Sequence, residues 1–124
     1  CAPTPLQYGA LRGLEAGADY YAGLALSYAG KREAMAAGVR AAGMRPILPQ
    51  GAYYIMTDIA GFGAADDVAF ARYLVKDVGV AAVPGSSFYR RAELGRTKLR
   101  FCFCKKDETL AAADRRLEAL ASRV

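Results

Sequence analysis

Residues 98–105, Lys98-Leu99-Arg100-Phe101-Cys102-Phe103-Cys104-Lys105, bring together the side chains best suited to chemistry. Apolar and polar side chains alternate here. A strand would send Leu99, Phe101 and Phe103 to one face and Arg100, Cys102 and Cys104 to the other. A guanidinium in such a strand can grip a planar carboxylate with two parallel hydrogen bonds, which an ammonium cannot imitate. By spacing alone, the plainer reading of Arg100 is an arginine on the wet face of an edge strand. The Cys-x-Cys pair could bind a soft metal or respond to oxidation. Only Cys1 remains elsewhere and no second ligand pair exists, so the plainer reading is two buried thiols packing as small apolar residues.

Other segments carry weaker signals. Pro84-Gly85-Ser86-Ser87-Phe88-Tyr89 looks like a reactive loop, but it lacks the Gly-x-Ser-x-Gly spacing of a nucleophile turn and the Gly-Lys-Ser/Thr ending of a phosphate cradle. Its plain reading is a turn after a strand. Tyr20, Tyr21, Tyr53 and Tyr54 could stack on a ligand, although core packing is the commoner use. Asp58 reads as a turn residue and Asp66-Asp67 as a helix start, not as paired acid–base carboxylates. The chain has no histidine, which removes Ser-His-Asp and Cys-His catalysis and every imidazole zinc site within it.

With 124 residues, one domain is expected. A hydrophobic share of 54% with 23% charged residues is that of a globular chain, not a disordered one. No apolar run is long enough to cross a bilayer, so no membrane partner is expected. The net charge is +5, but the basic residues are scattered without an aromatic-basic platform, so no nucleic-acid partner is expected either. Three cysteines make no disulfide framework, and a reduced, cytoplasmic setting is expected. The start, Cys1-Ala2-Pro3-Thr4-Pro5, is not a secretion signal and lacks an initiator Met; the chain is read as a piece of a larger polypeptide.

The elements that must position these residues follow from period and punctuation. Thr4 reads as an N-cap with Pro5 at the first helical position and Gln7 completing a capping box; Gly17 stops that helix. A long helix is expected over 18–42, with Tyr21, Leu24, Tyr28, Met35, Val39 and Ala42 on one stripe. A short extended segment at 45–48, a Pro49-Gln50-Gly51 turn and a strand over 52–59 come next. Asp66 caps a helix carrying Phe70, Leu74 and Val78, which Gly79 closes. A buried strand is expected over 80–83, then loop to Thr97, then the 98–105 strand. Asp107 caps a last helix with Leu110, Ala113, Leu117, Leu120 and Val124 on its apolar stripe. The fold class is therefore α+β, a small sheet with helices packed on one face.

Taken together, the Tyr53-Tyr54-Ile55 strand, the Val80-Ala81-Ala82-Val83-Pro84-Gly85-Ser86-Ser87-Phe88-Tyr89 segment, Lys98-Leu99-Arg100-Phe101 and the final helix resemble the small C-terminal domain of class I/II aminotransferases of fold type I. The kynurenine, methionine and succinyldiaminopimelate branch is the nearest in character. The resemblance covers nearly the whole chain. It implies that residues 1–17 are a helix on the large-domain side, 18–43 a connector helix and 44–124 the small domain. It implies that Arg100 binds a substrate α-carboxylate and that Phe88 forms part of the pocket wall. It further implies pyridoxal phosphate in the complete enzyme, amino-acid and 2-oxo-acid substrates, and a homodimer. No lysine here has the setting of the cofactor-bearing one, which would lie upstream of Cys1. The chain alone is thus expected to bind no coenzyme and to be inactive. A pyridoxal-phosphate carbon–sulfur β-lyase shares such a domain, and a free-standing α+β binding module is the reading outside the family.

Overall fold

The computed structural model describes residues 2–121. Its elements run α1 (Thr4–Leu14), α2 (Ala18–Ala41), β1 (Arg45–Ile47), β2 (Tyr54–Asp58), α3 (Asp67–Tyr73), β3 (Val83–Pro84), β4 (Lys98–Cys102) and α4 (Asp107–Ala121). The strands form one antiparallel sheet in the order β1-β2-β4-β3. Strand β4 is thus internal. The core lies on one face of the sheet: Ile55 and Thr57 of β2 and Leu99 and Phe101 of β4 are buried against Met35, Ala36 and Val39 of α2, Phe70 and Ala71 of α3, and Leu110, Leu117 and Leu120 of α4. This is the expected α+β layer. The Thr57 hydroxyl, fully buried, donates to the Leu99 carbonyl at 3.3 Å, so the core holds no orphaned hydroxyl there.

Several local expectations are corrected. Helix α1 takes its extended entry residue at Pro3 (φ −61°, ψ 135°), so Thr4 is already helical and caps nothing; Gln7 donates instead to the Ala2 carbonyl at 2.8 Å. Gly17, expected as a stop, is the extended residue that opens α2 (φ −65°, ψ 160°). The stripe on α2 is buried only towards its C-terminal end. Its 24 residues span about 36 Å, about twice the length of a five-residue strand, so Tyr21 and Leu24 extend beyond the sheet and are exposed. Helix α3 continues through Leu74–Val78 as a π-helical turn, which Gly79 ends in a left-handed conformation (φ 77°).

The strand expected over 80–83 pairs only at Val83–Pro84. Val80 is still occupied with the helix end, its N–H bonding the Leu74 carbonyl at 3.0 Å. Pro84 lies in the strand rather than stopping it, which an edge position allows because no outward N–H is needed. Asp107 is the first helical residue of α4, not its cap; its carboxylate meets Lys31 of α2 at 3.1 Å. The cap of α3 is as expected, with Asp66 accepting from the Ala69 N–H at 2.7 Å. Val124 lies outside the described residues. Among those described, no helix is long and apolar enough to cross a membrane.

The pleat of β4 separates packing from surface chemistry, which gives a stability test. Phe101→Ala should cost about 3–5 kcal/mol in urea denaturation, as a buried aromatic lost from a core. Cys102→Ala, one residue along on the opposite face, should stay within about 0.5 kcal/mol.

Candidate functional site

The second face of the sheet is open, and cross-strand partners share it. One row runs Ile47, Met56, Arg100, Val83 across all four strands. The next holds Arg45, Asp58 and Lys98, and a third pairs Tyr54 with Cys102. Arg100 is half-buried in the middle of this face. Its guanidinium carbon lies 4.6 Å from the centre of the Tyr54 ring and 4.2 Å from that of Phe88. Such contacts favour the cation by roughly 0.5–1 kcal/mol each at exposed sites. Neither ring accepts a conventional hydrogen bond as a carboxylate does, so the guanidinium N–H groups remain suited to a planar anion. Among the described residues no carboxylate forms an ion pair with Arg100; Asp58, the acidic group of this face, is engaged by Arg45 (3.4 Å) and Lys98 (3.8 Å).

Phe88 reaches Arg100 because the segment after β3 is tightly built. Two 3₁₀ turns, Gly85–Phe88 and Ala92–Gly95, pack backbone to backbone. A Cβ on Gly85 would stand 2.6 Å from the Lys98 carbonyl oxygen and 2.7 Å from that of Gly95, and one on Gly95 would overlap Gly85 and the Ser86 nitrogen. Only glycine allows this approach. The loop is also tied to α3: Asp67, 1% exposed, accepts the Ser86 N–H at 2.7 Å. Ser86 thus contributes a backbone donor, and the turn reading of this loop stands.

The structure brings Arg100 and Phe88 together and adds Tyr54 from the four tyrosines considered. Those tyrosines are not core residues: Tyr20, Tyr21 and Tyr53 are exposed, and Tyr54 lies on the open face because its neighbour Ile55 occupies the buried one. Cys102 and Cys104 are not buried either; they follow Arg100 on the open side, half-buried and exposed respectively. Their sulfurs are 3.1 Å apart, and the hydrogen bond between them pushes the Cys104 thiol above its ordinary pKa.

Comparison with known proteins bears on this arrangement. Residues 1–117 match the family described as aminotransferase class I and II. The chain belongs to the class I and II aminotransferases. Kynurenine–oxoglutarate transaminase of Dictyostelium discoideum is 35% identical over 131 aligned positions, covering 90% of this chain and 30% of that protein. Methionine aminotransferase of Escherichia coli is 32% identical over 117, covering 94% and 30%. The solved N-succinyldiaminopimelate aminotransferase from Mycobacterium tuberculosis superposes with a TM-score of 0.85 at 35% identity, over 94% of this chain and 30% of its own. This aminotransferase chain spans less than a third of the length of these relatives.

Aminotransferases of this family imply pyridoxal phosphate; among the described residues, Lys31 and Lys98, the lysines at the α2–α4 groove and on the open sheet face, are both engaged by carboxylates. A coenzyme lysine needs an uncommitted amine beside donors for a phosphate. Lys31 lines a groove of about 500 Å³ between α2 and α4, but its amine pairs with Asp107 and donates to the Lys105 carbonyl. Asp107 and Asp114 both border that groove, so carboxylates stand where a phosphate would need donors. Lys98 is held by Asp58 on the open sheet face.

Sequence reasoning missed the roles of Asp67 and Gly95. Asp67 looked like part of a helix start, and nothing local marks its bond to Ser86, 19 residues away. Gly85 and Gly95 were both visible as turn glycines, but their close approach to each other was not.

Asp58 offers a pH test of the face. The Ala60 N–H, 2.8 Å from its Oδ1, holds the carboxyl below its ordinary range; partial burial opposes this, and Arg45 and Lys98 add to the lowering. A depressed folded pKa contributes stability above the unfolded value of about 3.9, which is lost as pH falls through the folded value. Asp58→Asn should therefore be less stable than the parent at about pH 7, with the difference shrinking towards about pH 3. Urea midpoints across that range measure it.

Proposed function

We propose that this chain is the substrate-carboxylate-binding part of a pyridoxal-phosphate aminotransferase that moves an amino group between an α-amino acid and a 2-oxo acid. The observation that carries the reading is the Arg100 guanidinium on the open sheet face, within cation–π distance of Tyr54 and Phe88 and without an ion pair among the described residues. Arg100 would take the α-carboxylate through two N–H···O bonds and so fix the orientation of the substrate's reacting carbon. Phe88 would form part of the pocket wall. The coenzyme, when bound in the complete enzyme, supplies the electron sink for the transfer, and its lysine and phosphate donors lie outside these 124 residues.

The exposed apolar side chains of α1 and the first half of α2, among them Leu6, Leu11, Leu14, Tyr20 and Leu26, support the assignment of residues 1–17 to the large-domain side and 18–43 to a connector. Residues 44–124 then form the small domain. In this reading those side chains pack on the rest of the enzyme.

Arg100→Ala in the complete enzyme should raise KM and lower kcat while coenzyme absorbance persists. Hydrogen bonds to charged groups contribute about 1.5–3 kcal/mol, so kcat/KM should fall roughly 10- to 150-fold. Phe88→Ala should cost about two- to fivefold in kcat/KM through the lost ring contact. Unchanged kinetics in Arg100→Ala would remove the assignment. The isolated chain should show neither stoichiometric coenzyme absorbance nor amino transfer; lysine-dependent imine absorbance with turnover would overturn its incompleteness.

A further inference from the structure

The end of β4 carries a second reactive group, independent of the carboxylate reading. Beyond Cys102 the chain stays on the sheet for one more residue, with the Phe103 N–H bonding the Tyr53 carbonyl at 2.9 Å. It then turns: the Lys105 N–H bonds the Phe103 carbonyl at 2.8 Å, closing a three-residue turn centred on Cys104. Phe103 is 1% exposed on the core side, so Cys102 and Cys104 fall together on the other side. Their sulfurs are 3.1 Å apart, within about 1 Å of disulfide bonding distance. Cys104 is exposed, so an oxidant can reach it, and Cys102 is half-buried directly behind it. Two adjacent thiols at this separation are suited to two-electron thiol–disulfide chemistry.

We propose that Cys102 and Cys104 form a reversible redox site, closed to an intramolecular disulfide by a hydroperoxide. Cys104 attacks the peroxide's distal oxygen through its thiolate, the minority form of this exposed thiol; the O–O bond breaks, and the alkoxide takes up the proton the thiol released and leaves as the alcohol, giving a sulfenic acid. The Cys102 sulfur then attacks the Cys104 sulfur; the S–O bond breaks, and hydroxide leaves as water with the Cys102 proton. In sum, two thiols give up two electrons and two protons, and one peroxide becomes an alcohol and water. A disulfide enclosing a single intervening residue is tightly constrained, and constrained disulfides are readily reduced, so the closed form reopens under thiol reductants. The pair adjoins the arginine site, because Cys102 is the cross-strand partner of Tyr54.

Tryptic cleavage after Arg100 and Lys105 isolates a peptide holding both thiols and excluding Cys1. The full chain is reduced, exposed to stoichiometric hydrogen peroxide, alkylated to block free thiols and digested. The expected result is a peptide lighter by two hydrogens and unalkylated, restored to the dithiol form by dithiothreitol. Cys104→Ser, at an exposed position, should abolish this product. A parent peptide that remains doubly alkylated, or carries sulfinic acid at one cysteine with the other alkylated, would overturn the proposal.

Discussion

Strand β4 is hydrogen-bonded on both edges, to β2 and to β3, and its pleat gives each side chain one of two destinations. Leu99 and Phe101 go to the core, and Phe103 continues the pattern beyond the paired residues. The same geometry sends Arg100, Cys102 and Cys104 to the open side. A slip of one residue would bury a guanidinium and expose two phenyl rings, so core packing and the placement of the arginine are one constraint. Register is held at Ile55↔Phe101 and Thr57↔Leu99, where both partners of each pair are buried.

A strand alone would leave Arg100 free to sweep solvent. The segment between β3 and β4 limits that motion. Gly85 and Gly95 let two turns meet at backbone distance, and Asp67 fixes the first turn to α3. Together these put Phe88 over the guanidinium. The arrangement suits recognition of a planar anion better than a flexible lysine would, because the fork is held before the ligand arrives.

Much of this was legible in the residues. Alternation placed Arg100 opposite Phe101, punctuation gave the order of helices and strands, and Asp66 marked its helix start. What escaped had non-local causes. The extent of α2 burial depends on where a helix about 36 Å long meets a much shorter sheet, which its own stripe does not encode. Val80 resembled a strand residue, yet its N–H was already taken by Leu74. Tyr54 was one of four tyrosines with similar claims, and only the β2–β4 register selects it as the ring beside Arg100. The exposure of Cys104 depends on a turn that the Cys-x-Cys spacing does not announce.

The most direct test of the account compares an amino-acid substrate with its carboxamide in the complete enzyme, for the parent and for Arg100→Met. If the guanidinium grips the α-carboxylate, the parent should prefer the acid by roughly 10- to 150-fold in kcat/KM, and the preference should collapse towards unity in the variant. A preference for the acid that survives intact in Arg100→Met would contradict the account and place carboxylate recognition on another residue.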